Sequence, residues 1–85
     1  MFEEKWTYVI FFKTHSQRTT APQRLETQEL WETCEKLQEA ADVCSFEAYF
    51  LIPGQEPEPV LYGYVGNEGW WTGTTEPPLV FKRFI

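Results

Sequence analysis

The chain has 85 residues, 42% of them hydrophobic, and a formal net charge of −6 at pH 7. That length predicts one α+β domain spanning 1–85, thinly stabilised because a fold this small buries only about 60–65% of its unfolded surface. The composition, with four Trp, four Tyr and seven Phe, excludes disorder, and two cysteines are too few for a secreted disulfide scaffold. Met1-Phe2-Glu3-Glu4-Lys5 does not read as a signal peptide. No apolar run approaches the ~20 residues of a membrane span, so the expected compartment is the cytoplasm.

Lys5 to Lys13 (KWTYVIFFK) is β-branched and aromatic, and predicts a strand. Its unbroken apolar middle implies cover on both faces, or exposed aromatics in use. Thr14 to Glu26 is polar and aperiodic and reads mostly as a loop, although Thr20-Ala-Pro-Gln23 fits a capping box that could start a helix early.

The periodicity predicts one helix over Thr27 to Ala41. Leu30, Cys34, Leu37 and Ala41 form a single apolar stripe. Glu29, Glu32, Glu35, Glu39 and Asp42 occupy the opposite arc, and Trp31 falls on the margin between the two. Lys36 sits among the acids, within pairing distance of Glu32.

Val43 to Ile52 alternates Cys44, Phe46, Ala48, Phe50 and Ile52 with Ser45, Glu47, Tyr49 and Leu51, the period of a half-buried strand. Pro53-Gly54 breaks it, and Gln55 to Pro59 reads as an extended loop. Val60 to Val65 and Trp70 to Thr74 predict a hairpin joined by Gly66-Asn67-Glu68-Gly69, and Leu79 to Ile85 a final strand. The expected order is β-α-β-β-β-β: a single helix packed on a curved, mainly antiparallel sheet of four to five strands.

Charge is polarised along the chain. The segment Lys5 to Arg24 holds Lys5, Lys13, Arg18, Arg24 and His15 and no acid, whereas Leu25 to Pro59 holds nine acids and one cation. Such a molecule carries a directional field.

The residues offer little chemistry. Cys34 and Cys44 are the two thiols and His15 the one imidazole. A thiol on the apolar stripe of an acidic helix has a raised pKa and is a poor nucleophile. One His and two Cys at unrelated spacings do not make a zinc set, and no Gly-rich phosphate loop occurs. Glu47 is the best carboxylate for acid–base work, but such work needs desolvation, and the alternation predicts an outer-face surface position. The chain is therefore expected to be no enzyme, with no cofactor and no metal.

The most informative segment is the hairpin bearing Tyr62, Tyr64, Trp70 and Trp71. Consecutive tryptophans on a strand must point to opposite faces, and Trp and Tyr are enriched at binding hot spots. The reading is a small acidic interaction module, an inhibitor or accessory subunit. It would bind another protein through this hairpin, with Trp31 and the acidic row Glu29, Glu32, Glu35 and Glu39. A homodimer through an exposed strand edge is a further possibility. The alternatives are a nucleic-acid binder using a basic patch of Lys13, Arg18, Arg24, Lys82 and Arg83 with sheet aromatics, which requires the first and last strands to be neighbours, or a mimic of nucleic acid using the acidic helix.

Overall fold

The computed structural model describes residues 6–17 and 21–74. It contains β1 (Tyr8–Thr14), β2 (Gln23–Thr27), α1 (Leu30–Glu39), β3 (Val43–Phe50), β4 (Glu58–Gly66) and β5 (Gly69–Gly73), with a short 3-10 turn over His15–Gln17. The strands form one sheet in the order β2-β1-β3-β4-β5, every neighbouring pair antiparallel. One helix on one antiparallel sheet is the α+β class expected.

The helix covers one face of the sheet, here called the inner face. Ile10, Phe46, Ala48 and Leu61 project there and pack with Val43 and with Cys34 and Leu37 of α1. The register puts Phe46 opposite Gly63, where an added Cβ would lie 2.4 Å from the Phe46 ring. Glycine at 63 is thus the space into which Phe46 packs. On the outer face Val9, Phe11 and Tyr49 form a second buried cluster. β1 and β3 are therefore buried on both sides, which explains the unbroken apolar run of β1.

Several expectations are corrected. Gln23–Thr27 covers the end of the expected loop and the expected first helical residue, but pairs along β1, from Tyr8↔Thr27 to Phe12↔Gln23. It is an edge strand with one apolar residue, Leu25, so it carries almost no local signal; the pairing of β1 supplies what propensity does not. The capping-box reading at Thr20 fails for the same reason, since Gln23 is in this strand.

The helix starts at Leu30, not Thr27, which ends β2. Thr27 still serves the helix entry: its Oγ1 accepts from the Glu29 N–H at 3.0 Å and bonds Thr33 Oγ1 at 2.9 Å. The helix ends at Glu39, and Ala41 is exposed in the following turn instead of continuing the apolar stripe.

β3 stops at Phe50, two residues early, and β4 begins at Glu58 inside the expected proline loop. Pro59 is tolerated there because it faces Tyr49 where the register shifts; a proline lacks an N–H for the ladder and sits best at such an irregularity. β5 runs Gly69–Gly73, one residue earlier than expected. The expected final strand, Leu79 to Ile85, lies outside the described residues.

Candidate interaction surface

The β4–β5 hairpin turns through Asn67 and Glu68, with Gly66 opposite Gly69, Val65 opposite Trp70, and Tyr64 opposite Trp71. Gly69 has φ +116°, a conformation that glycine adopts at no steric cost. Alternation then sorts the rings. Trp70 faces the helix: its ring lies 5.7 Å from that of Phe46, and its Nε1–H donates to the Gln38 carbonyl at 3.0 Å. It ties the hairpin to the C-terminal half of α1 and is a structural residue.

Trp71 faces outward and is 53% exposed, and Tyr64 beside it is 47% exposed. The Trp71 ring lies over Gly66, where an added Cβ would come within 2.6 Å of Nε1. Tyr62, half-buried on the same face, lies over Gly73 in the same manner. The two glycines make a flat bed on which the rings rest. The question left by the sequence, which tryptophan is outward, is answered by Trp71.

The acidic row is solvent-facing. Glu29, Glu32, Glu35 and Glu39 are all exposed, and Trp31, expected at the margin, is 67% exposed among them. These residues lie on the inner side of the sheet, above the helix, whereas Trp71 and Tyr64 lie on the outer side. The expected binding residues thus divide into two surfaces on opposite sides of the sheet. Sequence periodicity could not reveal this, because it fixes each face only relative to its own element.

Of the basic residues, Lys13 is half-buried on β1 and Arg24 lies on β2 with its guanidinium 3.0 Å from Glu26. Arg18, Lys82 and Arg83 lie outside the described residues. β1 has β2 on one side and β3 on the other, so no further strand fits beside it in the sheet. The last strand, which the nucleic-acid alternative requires as a neighbour of β1, lies outside the described residues.

Glu47 is the largest departure in chemistry. Expected at the surface, it is 6% exposed and its Oε1 accepts from the Tyr49 hydroxyl at 2.6 Å. The alternation Glu47/Tyr49 is polar-and-large on the outer face, and that face is buried too. Burial, then the bond to Glu47 and its charge, push the Tyr49 hydroxyl well above the ordinary tyrosine range. Among the described residues no buried side-chain polar atom lacks a partner.

Burial also pushes the Cys34 thiol up to about 11 from 9.0, so it is protonated and inert at neutral pH. Cys44 is half-buried and its thiol points to the Lys13 carbonyl at 3.5 Å. His15 is exposed in the 3-10 turn, with its backbone N–H on the Asp42 carbonyl at 2.7 Å. Among the described residues no group of His, Cys, Asp or Glu converges as a metal set, and no helix is long and apolar enough to cross a membrane.

Sequence reasoning placed nothing at the end of the sheet where Trp6 packs edge-on against Phe50 at 5.0 Å. A groove of about 550 Å³ opens there, bordered by Trp6, Thr7, Leu51, Ile52, Pro53 and Pro57. None of these side chains ionises. The faint signal in the sequence was a tryptophan ahead of the first strand and prolines beyond the third.

The chain was compared with protein-family models, with curated proteins and with solved structures, and none of them matches it.

Proposed function

We infer that the protein is a small protein–protein interaction module, an inhibitor or accessory subunit, whose contact surface is the outward face of the β4–β5 hairpin. The supporting observation is the pair Tyr64 and Trp71, opposite each other in the ladder and each about half exposed. Large rigid rings bury much area at little entropic cost, which makes such residues the usual anchors of an interface. The acidic helix, on the other side of the sheet, contributes to approach and not to contact: its field steers a basic partner and raises the association rate.

The test begins with partners recovered from the native host on wild-type protein and identified by mass spectrometry, followed by affinity measurement with the purified partner. Trp71→Ala should weaken binding by at least about 2 kcal/mol with an unchanged circular dichroism spectrum. Reversing Glu32 and Glu35 to Lys should slow association, an effect that fades with salt. Unaltered affinity in the Trp71→Ala variant removes the hairpin from the interface. A steep salt-dependent affinity for nucleic acid would instead favour a phosphate-contacting role.

A further inference from the structure

The outer face of the sheet is closed to water more completely than the described elements explain. Val9, Phe11 and Tyr49 are at most 1% exposed and Glu47 is 6% exposed. Yet α1 packs on the inner face, and no described helix or strand lies over the outer one. Among the described residues, Leu51 is the one further apolar side chain packed on the outer cluster. Neighbours within a sheet stand beside such residues; covering them takes a second layer, about 10 Å above the strands.

The registers align that cluster with the end of β5. Gly73 is opposite Tyr62, Tyr62 opposite Glu47, and Glu47 opposite Phe11, one row running across the sheet. With strands about 4.8 Å apart, Glu47 lies about 10 Å from Gly73, and Phe11 about 14 Å. Residues 75–85 follow β5 and can span up to about 36–40 Å. They hold Leu79, Val80, Phe81, Phe84 and Ile85 around the adjacent cations Lys82 and Arg83, which is apolar surface for the cluster and positive charge for Glu47. A buried carboxylate is costly unless charge and hydrogen bonds compensate it; the Tyr49 hydroxyl supplies one bond and no charge. The other stretches outside the described residues suit this face less well. Residues 1–5 carry Glu3 and Glu4, like in charge to Glu47, and 18–20 are too short to cover four side chains.

We propose that residues 75–85 are the cover: a strap laid over the outer face from the end of β5 toward β1, with Lys82 or Arg83 paired to the Glu47 carboxylate. It shields Val9, Phe11, Glu47 and Tyr49 and stops short of the hairpin tip, where Tyr64 and Trp71 stay about half exposed. The strap thereby sets the boundary of the outward aromatic patch, and its release would bare Phe11 and Tyr49 next to Tyr64. It follows from burial and charge, independently of what the hairpin binds.

The experiment is nuclear Overhauser spectroscopy on the full chain, joined to a urea titration. Contacts within one molecule from the side chains of Leu79 to Ile85 to those of Val9, Phe11 and Tyr49 are expected. Their absence overturns the strap. So does finding them only between labelled and unlabelled copies in a mixed sample, which makes a second copy the cover, or finding contacts from residues 1–5 in their place. In urea, Lys82→Ala with Arg83→Ala is expected to lower the folding equilibrium constant at least about tenfold, and less than about twofold when Glu47→Gln is already present. An equal loss in both backgrounds overturns the pairing with Glu47. Should Glu47→Gln fail to fold, Overhauser contacts from the end of the Lys82 or Arg83 side chain to the Tyr49 ring decide instead, their absence overturning the pairing.

Discussion

Phe46 and Tyr49 lie on opposite faces of β3, and both are 0% exposed. Trp70 and Trp71 lie on opposite faces of β5, and only the first is shielded. The residue types are alike and the alternation is the same, so the difference comes from position in the sheet. β3 runs through the middle with β1 and β4 beside it, and neighbouring side chains close over both its faces. β5 has one described neighbour and takes cover from the helix on a single side. A ring in the middle of this sheet stabilises the fold; a ring at its edge is available for contact.

That contrast can be broken from the centre outward. Phe46→Ala empties the contact with Gly63 and Trp70 and should cost about 3–5 kcal/mol, enough to unfold so small a domain at ambient temperature. Urea denaturation, or its absence because no transition remains, reads this directly. Gly63→Ala attacks the same contact from the other side by overpacking. About 1–3 kcal/mol of destabilisation is expected in the same titration, and a wild-type midpoint would mean that the ring moves aside freely.

Tyr49→Phe removes one donor to the buried Glu47 carboxylate and should cost about 1–3 kcal/mol at neutral pH. It also has a pH signature. Tyr49 and Cys34 have folded pKa values raised above their unfolded ones of 10.0 and 9.0. The folded state therefore binds their protons more tightly, and this contribution is full below pH 9 and lost as pH rises through the folded values. Thermal unfolding should show stability falling above pH 9, with Tyr49→Phe flattening the upper part of that fall and Cys34→Ala the lower. Trp71→Ala closes the series: within about 0.5 kcal/mol of wild type in the denaturant titration, in contrast to its effect on binding. A large loss there would make Trp71 a packing residue like Trp70.

What could be read along the chain followed from local pattern. The Leu30, Cys34 and Leu37 spacing marked the helix and its buried side, the glycines flanking Asn67-Glu68 marked the hairpin, and the adjacency of Trp70 and Trp71 required one ring outward. What could not be read depended on neighbours. Gln23–Thr27 became a strand because β1 offered it an edge, against its own composition. Glu47 sits in the polar phase of an alternating strand, a pattern that predicts solvent when one face is free and says nothing when both are covered.

Alternation and helical period are set by backbone geometry, so residue order alone determined the class of fold, the main elements and the division of each into two sides. Which side meets which is a matter of chain path in three dimensions. Only the assembled sheet decided that the acidic helix and the exposed tryptophan lie on opposite sides and that Glu47 is withdrawn from water. The physical reason is that burial depends on what packs above a residue, and in this protein those neighbours come from distant parts of the chain.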